Sequence, residues 1–320
     1  MTTGLDARDV LPVLVSAERQ SHGRHPLRRL LRDRTAMVGA VLVGGFALMA
    51  VVGPVVVAGD PDAIDVANKF ASPSWHHLLG TDELGRDVAT RLLHGARLSI
   101  GTAVVASAGI ALVGTVLGVL AGYARGVLDM VIGRTIDVLL TVPTFLLALA
   151  VTGVLGPGIN KVVAAVVAVS WSGYARVVRA AVLAERAKPY VESARAAGAS
   201  HARIVSRHIL PNTLSPIIVL TTVDMGAVLL AISALSFLGL GVNPPTAEWG
   251  AMLAEAKTYL GETPLLMTAP GVAILLMVLG FNLLGDGLRD VLDPRLPQAA
   301  AGARRDGVHR RRAGRGRPSS

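Results

Sequence analysis

The sequence predicts an all-α polytopic membrane protein with six transmembrane helices and both termini in the cytosol. Of its 320 residues, 52% are hydrophobic and 17% are charged, and the mean hydropathy is +0.55. Four stretches of 23 to 27 residues carry no charged side chain, namely 36–58, 98–124, 138–160 and 263–285. A helix needs about 20 apolar residues to cross the hydrocarbon core of a bilayer. A soluble domain would not contain four such runs.

The two ends of the chain are predicted to be polar cytosolic segments. Residues 1–35 include seven arginines, and the block 27–34 is expected to lie along the membrane surface among lipid phosphates. The apolar run 36–58 exceeds the roughly 7–15 residues of a signal-peptide core, so we expect it to remain as the first transmembrane helix. Residues 296–320 are rich in alanine, glycine and arginine, which predicts a basic, disordered tail.

Residues 59–98 are predicted to form an external loop that contains an amphipathic helix. Leu84, Val88 and Leu92 are spaced four residues apart and would form one apolar stripe on that helix. Such a stripe favours a helix that lies on the outer face of the membrane.

Residues 99–295 are predicted to hold the other five transmembrane helices. The second transmembrane helix carries Gly114, Gly118 and Gly122 in a repeated G-x-x-x-G pattern. Because glycine has no side chain, this pattern lets the backbone of another helix approach closely. We therefore predict a tight helix–helix contact along these three glycines.

The third and fourth transmembrane helices are less regular. The third, 138–156, contains Pro143, where a kink is tolerated if neighbouring groups satisfy the freed carbonyl. The fourth has only 14 uncharged residues between Lys161 and Arg176. With this helix included, 25 of the 31 Lys and Arg residues fall on the cytosolic side, whereas without it only 10 do. The positive-inside rule therefore favours six transmembrane helices.

A polar, basic segment at 188–212 separates the fourth and fifth transmembrane helices and faces the cytosol in this topology. Pro189 suits the first position of a helix, and Gly198 suits the position after its end because glycine tolerates φ > 0. Ser200 can cap a second short helix, which Pro211 is expected to end because the residue before a proline avoids the α conformation. The segment is predicted to be two short helices joined by a tight turn.

This segment resembles the EAA loop of ABC-importer membrane subunits, whose pattern is E-A-A-x3-G-x9-I-x-L-P. The matching positions are Glu192, Ala194, Gly198, Leu210 and Pro211. Ser193 replaces the first alanine, and His208 replaces the isoleucine, as in the peptide and nickel branch of that family. The family's ATPase docks on this loop. The resemblance therefore implies an ATPase-coupling loop with the residues Glu192, Ser193, Ala194, Gly198, Leu210 and Pro211.

Three further phrases are similar to those of the C-type permease subunit of dipeptide, oligopeptide and nickel importers. They are LGTDELGRD at 79–87, P-P-x-x-x-W-G at 244–250 and FNLLGDGLRDVLDPR at 281–295. The resemblance implies the type I ABC-importer transmembrane fold and a place in the bacterial plasma (inner) membrane. It also implies a homologous second permease subunit, two cytosolic ABC ATPase subunits and an extracytoplasmic substrate-binding protein as partners.

No catalytic, cofactor or metal site is expected in this chain. It contains no G-x-x-x-x-G-K-[ST] P-loop, so the resemblance implies that the partner subunits bind and hydrolyse ATP. The absence of cysteine excludes a disulfide framework and thiolate metal sites. His76, His77, Asp82 and His94 lack the fixed spacing of a metal site. The net charge of +9 is expected to reflect cytosolic loops beside anionic membrane lipids rather than nucleic-acid binding.

Asp224 is an ionisable residue inside the predicted fifth transmembrane helix. An acidic group at this depth costs about 2.5–3.5 kcal/mol on insertion scales, so it should face a cavity or a partner. Two interpretations stay open: a wall of the translocation path, or a structural hydrogen bond to a neighbouring helix. Many family members carry a glutamate shortly before LSFLGLG, whereas this chain has only Ala231 to Ala234 there. No role of that acid carries over.

The sequence thus predicts a permease subunit of an ATP-driven importer that forms half of a translocation path for di- or oligopeptides. Nickel, glutathione or another small solute is an alternative cargo within the same family. An ATP-independent secondary transporter is a different class, and it predicts more ionisable groups within the membrane than Asp224.

Overall fold

The computed structural model describes residues 33–57, 59–124 and 126–292. Within these ranges the protein consists of helices and turns, and the β-type pairing is confined to an isolated bridge between Thr81 and Asp87. The helices in chain order are α1 (Arg34–Val56), α2 (Val88–Ala124), α3 (Val127–Thr141), α4 (Thr144–Leu155), α5 (Ile159–Arg186), α6 (Pro189–Ala196), α7 (His201–Ile204), α8 (Leu210–Phe237), α9 (Trp249–Ala256) and α10 (Leu265–Leu292), with a π-helical turn at Val205–Ile209 and 3₁₀ turns at Val66–Asn68 and Lys257–Tyr259.

Five elements in the described residues are long and apolar enough to cross a membrane. They are α1, α2, α5, α10 and a continuous rod made of α7, the π-helical turn and α8. Helices α3 and α4 together form a sixth candidate, which is bent by 93°. The prediction of six transmembrane helices is confirmed in this form, and the 28-residue α5 is the fourth of them.

The third transmembrane helix is broken rather than kinked. Thr141 ends α3, Val142 is extended, and Pro143 precedes the first residue of α4. Steric contact with a following proline pushes Val142 out of the α conformation, and Pro143 has no N–H with which to continue the helix. The predicted range 138–156 therefore covers the end of one helix and the whole of another.

Helices α2 and α5 pack closely along the predicted glycine face. A Cβ atom added to Gly114 would lie 2.4 Å from the Cβ of Tyr174, and one added to Gly118 would lie 2.7 Å from the Cβ of Val178. One added to Gly122 would lie 2.9 Å from a backbone oxygen of α5. The predicted close contact is confirmed, and its partner is the fourth transmembrane helix of the same chain.

Buried side chains form two clusters that share α2 and α8. The first joins these helices to α4, α5 and the segment that follows α5, with Ile110, Val166, Val178, Val191, Ile204 and Ile232 among its members. The second joins them to α1, α9 and α10 and includes Leu229, Trp249, Met252, Leu266, Met277 and Phe281. Large apolar side chains such as Val41 and Val55 remain exposed on the membrane helices, as expected for surfaces that face lipid or another subunit.

The predicted external amphipathic helix is not a separate element. Helix α2 begins at Val88 and continues without a break into the second transmembrane helix, while Leu84 lies in the loop before it. The carboxylate of Asp87 accepts hydrogen bonds from the backbone N–H and the hydroxyl of Thr90 at 2.7 and 2.8 Å. Asp87 therefore caps α2 and sets its first residue.

Most of the predicted N-terminal segment 1–35 and the whole of the predicted tail 296–320 lie outside the described residues. The block 27–34 lies almost entirely outside them as well. The cytosolic position of both termini stays a prediction.

Candidate functional site

The segment between α5 and α8 begins with the short helix α6. Pro189 occupies the first helical position, as predicted, where its missing N–H leaves no bond unmade. Glu192 lies in the first turn, where a negative charge interacts favourably with the helix dipole. Glu192 and Ser193 are exposed, whereas Ala194 is half-buried. The exposed residues of α6 thus include a carboxylate, a hydroxyl and the guanidinium of Arg195 in its last turn.

Gly198 ends this helix in the predicted way, with a φ of +78°. Its N–H donates to the carbonyl of Arg195 at 3.0 Å, and the N–H of Ala199 donates to the carbonyl of Ala194 at 3.1 Å. These two bonds form a Schellman motif, which requires a left-handed residue at the position of Gly198. The tight turn between α6 and α7 therefore depends on the conformational freedom of this glycine.

The second helix of the segment does not end at Pro211, in contrast to the prediction. Ser200 caps α7 by accepting a hydrogen bond from the N–H of Arg203 at 3.4 Å. The chain then passes through the π-helical turn, in which the N–H of Leu210 reaches back to the carbonyl of Val205. Because this wider turn shifts the hydrogen-bond register, Pro211 can follow as an early residue of α8. The coupling segment and the fifth transmembrane helix are one continuous rod.

Residues 189–209, which run from α6 to the end of the π-helical turn, are called the protrusion here. Apolar side chains hold it against the membrane helices. Val191 on α6, Ile204 on α7 and Ile209 in the π-helical turn are completely buried. They belong to the same cluster as Val178 and Val182 of α5. The protrusion is therefore packed on the end of α5 from one side, while Glu192, Ser193 and Gly198 remain exposed.

Polar contacts that the sequence analysis did not predict attach α6 at its start. The hydroxyl of Tyr190 donates to the carboxylate of Glu185 at the end of α5, and the Lys188 ammonium lies 2.6 Å from the same carboxylate. The side-chain amide of Asn212 donates to the Tyr190 oxygen at 3.2 Å and to the carbonyl of His208 at 2.6 Å. Burial raises the pKa of Tyr190 to about 12, so its hydroxyl remains a donor at neutral pH. Short-range sequence patterns do not predict how these contacts join α5, α6 and α8.

The predicted coupling residues occupy two places on one surface. Glu192, Ser193, Ala194 and Gly198 lie together on α6 and its turn, whereas Leu210 and Pro211 lie at the start of α8. Leu210 is half-buried and Pro211 is exposed. The structure thus supports a protrusion centred on Glu192 and Gly198, with Leu210 and Pro211 at its base.

Asp224 lies on the wall of a partly open cavity of about 330 Å³ that is lined by residues of α2, α3, α4, α5 and α8. The hydroxyl-bearing residues Thr144, Ser170 and Ser172 line the same cavity. Ala231 also lines it. The Asp224 carboxylate makes no hydrogen bond and no ion pair with the described residues. The buried hydroxyl of Tyr174 on α5 also lacks a hydrogen-bond partner among the described residues and interacts electrostatically with Asp224, so both interpretations of Asp224 stay open.

A second polar site connects the loop before α2 to α9. The Arg86 guanidinium lies 2.5 Å from the Asp82 carboxylate and 2.9 Å from that of Glu255, and the Arg91 guanidinium lies 3.0 Å from Glu255. Both arginine side chains are almost completely buried. These contacts explain the phrase LGTDELGRD, because its charged residues form a network that fastens the loop to α9.

The phrase that ends in Trp-Gly is explained by a neighbouring contact with α2. The Glu248 carboxylate, which is completely buried, accepts hydrogen bonds from the Ser99 hydroxyl at 3.0 Å and from two backbone N–H groups at the start of α9. The Trp249 indole N–H donates to the carbonyl of Leu92 at 3.0 Å. The two phrases therefore meet near the start of α2 and beyond the end of α8, whereas the segment 188–212 leads into the start of α8.

The histidines considered as metal ligands have other contacts. The Nδ1 of His77 lies 2.9 Å from the Asp87 carboxylate, and the Nδ1 of His94 lies 2.9 Å from the carbonyl of Thr90. Asp82, Glu83 and Glu255 come together within 4.8 Å. Arg86 lies within 3.0 Å of all three carboxylates and Arg91 lies 3.0 Å from that of Glu255, so the group is an ion-pair network.

The arrangement of the membrane helices and the protrusion agrees with the protein families whose models match this sequence. A family model described as the binding-protein-dependent transport system inner membrane component matches residues 114–298. The chain belongs to this family. A second model, for the N-terminal transmembrane domain of oligopeptide transport permease C, matches residues 23–73 of this permease.

Curated relatives support the same assignment over most of the chain. The permease is 39% identical to a dipeptide transport system permease protein of Alkalihalophilus pseudofirmus over 273 residues, which is 85% of this chain and 90% of the relative. It is 42% identical to a di/tripeptide transport system permease protein of Pseudomonas aeruginosa over 275 residues, or 84% and 90%. It is 39% identical to a nickel transport system permease protein of Escherichia coli over 256 residues, or 80% and 92%.

These matches confirm the predicted family, the inner-membrane location and the role of the chain as a permease subunit. They concern the chain as a whole. The roles of Glu192, Gly198 and Asp224 are developed below as proposals.

Proposed function

We propose that this permease is one of two homologous transmembrane subunits of an ATP-driven importer for di- and oligopeptides. In this proposal two cytosolic ATPase subunits, which bind and hydrolyse the ATP, dock on the protrusion formed by α6 and the Gly198 turn. An extracytoplasmic binding protein delivers the cargo on the other side of the membrane.

The form of the protrusion is the observation that carries this proposal. Glu192 and Gly198 are exposed, while Val191 and Ile204 behind them are completely buried. Helix α7 continues into α8, and the contact between Tyr190 and Glu185 ties α6 to α5. A movement of the docked ATPases would therefore be transmitted to α5 and α8, two of the helices that line the Asp224 cavity.

We further propose that this cavity is part of the translocation path. The wall contains one acidic group, three hydroxyl-bearing residues and otherwise small or apolar residues. A wall of this kind would bind a passing solute weakly, which import requires because a tightly held cargo would not leave. Rocking of α5 and α8 would open the cavity to one side of the membrane at a time.

Peptides are the preferred cargo because several relatives of similar identity are named dipeptide or di/tripeptide permeases. Nickel is the second candidate, since a relative at 39% identity is named a nickel permease. Glutathione or another small solute stays open within the same family. A secondary transporter would need further ionisable groups for ion coupling, whereas the described cavity wall offers Asp224 alone.

The first experiment is affinity purification of the tagged permease in mild detergent, with identification of every co-eluting protein. We expect a second permease and P-loop ATPases. Glu192→Arg should reduce the recovery of the ATPases without reducing that of the second permease, and Glu262→Arg, at another exposed glutamate, should change neither. Purification of the chain alone or as a homo-oligomer in several detergents would contradict the proposal and favour a secondary transporter.

The cargo is tested separately in proteoliposomes that contain the purified complex, its binding protein and ATP. We expect uptake of labelled dipeptides and stimulation of ATP hydrolysis by them. Uptake of nickel without uptake of peptides would leave the transport mechanism intact and overturn the peptide assignment.

A further inference from the structure

We infer that the Asp224 cavity is a cation-selective part of the translocation path that accepts the protonated amino group of the cargo. This inference rests on the proposal that the cavity lies on the path. It adds which chemical group of the cargo the path recognises.

The charge of the cavity wall comes from Asp224. Asp224 is the ionisable residue among those that line the described cavity. The nearby arginines of α5 are paired elsewhere: Arg176 lies 2.8 Å from the Asp137 carboxylate, and Arg179 lies 2.5 Å from that of Asp129. The Asp224 carboxylate therefore has no cationic partner in the described chain and can attract a cation from solution.

The hydroxyl groups on the wall fit the same class of ligand. The Ser172 hydroxyl donates to the carbonyl of Val169, which leaves its oxygen as an acceptor. Thr144 and Ser170 bring two further hydroxyl oxygens to the wall. An ammonium group has three N–H donors and no acceptor, so a wall that carries a carboxylate and several hydroxyl oxygens complements it.

The same wall is a poor site for a bare transition-metal ion. Nickel ions are bound in proteins mainly through imidazole and other nitrogen or sulfur ligands, and no histidine lines the cavity as the structure describes it. Apolar residues such as Ile110, Phe145 and Val166 provide much of the remaining surface. These apolar residues would accommodate the varied side chains of a peptide cargo while Asp224 holds its amino end.

The absence of native cysteine allows a direct test of the charge. A single cysteine is introduced at Ala231, which lines the cavity with Asp224, and the assembled complex is treated with cationic and anionic methanethiosulfonate reagents. Each rate is divided by the rate of the same reagent with a small free thiol. We expect the corrected cation-to-anion ratio to fall about tenfold when Asp224→Asn is added to Ala231→Cys, because the nearby unit charge is removed.

Two controls make this test decisive. Ser74→Cys, at an exposed position in the loop before α2, should show the same ratio with and without Asp224→Asn. The reactions are run both without nucleotide and with ATP. An unchanged ratio at Ala231→Cys, or a cysteine there that neither reagent reaches in either state, would overturn the inference.

Transport provides the second readout. Asp224→Asn should slow the uptake of a dipeptide with a free amino group at least fivefold more than the uptake of its N-acetylated analogue. Asp224→Glu, which keeps the carboxylate, should restore the preference of the wild type for the dipeptide with the free amino group. Equal slowing of both peptides would indicate a structural role for Asp224 and contradict the inference. If the wild-type complex carries no peptide, the proposed cargo is wrong, and the reagent ratio still decides whether the cavity selects cations.

Discussion

Replacement of Gly198 by valine tests whether the turn after α6 transmits movement from the ATPases. Gly198 has a φ of +78°, and no atom lies within 4 Å of the position that a Cβ atom would occupy. The substitution therefore causes no steric clash within the chain. A residue with a side chain costs about 1–2 kcal/mol in the left-handed conformation, and a β-branched residue is especially unfavourable there.

The expected magnitude follows from the two hydrogen bonds of this turn. Both bonds, from Gly198 to Arg195 and from Ala199 to Ala194, require the left-handed conformation. A cost of about 1–2 kcal/mol shifts the balance between the intact and the opened turn by a factor of about 5–30. Part of the force from the ATPases would then deform the turn instead of moving α8.

The assay measures ATP hydrolysis and cargo uptake by the complex in proteoliposomes. We expect Gly198→Val to assemble and hydrolyse ATP, but to import severalfold less cargo for each ATP consumed. Gly198→Asn is the matched control, because asparagine is similar in size to valine but tolerates φ > 0. This variant should import nearly as much cargo for each ATP as the wild type. Equal coupling ratios for the two variants would refute the argument, since they would show that the backbone conformation of Gly198 does not matter.

Three further predictions concern contacts that hold the helices together. Gly118→Leu should lower the thermal unfolding midpoint of the complex by several degrees, because its Cβ would meet Val178 at 2.7 Å and overpacking costs about 1–3 kcal/mol. Gly101→Leu on the same helix, where nothing lies within 4 Å, should not lower it, and an equal loss in both would contradict the packing argument. Tyr190→Phe removes a hydrogen bond worth about 1 kcal/mol and should reduce cargo uptake per ATP in proteoliposomes, while the ATPases still co-purify. An unchanged ratio of uptake to ATP hydrolysis would show that α6 is not anchored through this hydroxyl. Arg91→Met should destabilise the complex by about 3–5 kcal/mol in chemical unfolding, because it leaves Arg86 as the one cation that faces the carboxylates of Asp82 and Glu255. Adding Glu255→Gln should recover part of that loss, whereas additive losses would argue against the network.

Features that depend on residues close together in the chain were predictable. The long apolar runs identified the membrane helices, because the bilayer thickness alone sets the length of chain that must be apolar. Gly198 was recognisable as a helix end, because a left-handed residue after a helix is a local requirement. The G-x-x-x-G pattern indicated a close helix contact, although only the structure identified α5 as the partner.

Helix boundaries at prolines were less predictable, since the same residue has opposite outcomes at two places. At Pro143 the helix breaks and turns by 93°, whereas at Pro211 it continues through a π-helical turn. The choice depends on whether surrounding groups stabilise a shifted hydrogen-bond register, and packing decides that. The same limit explains why the amphipathic stripe at Val88 proved to be the beginning of α2.

The sequence by itself determined the class of this protein, the apolar runs that form its membrane helices and the position of the polar segment at 188–212. Only the tertiary structure decided which charged residues meet, since Arg91 and Glu255 are 164 positions apart. It likewise decided that Asp224 lies on the wall of a cavity between helices. Local rules describe the chain within a few residues of each atom, whereas the charge, size and partners of a buried site depend on how distant helices pack.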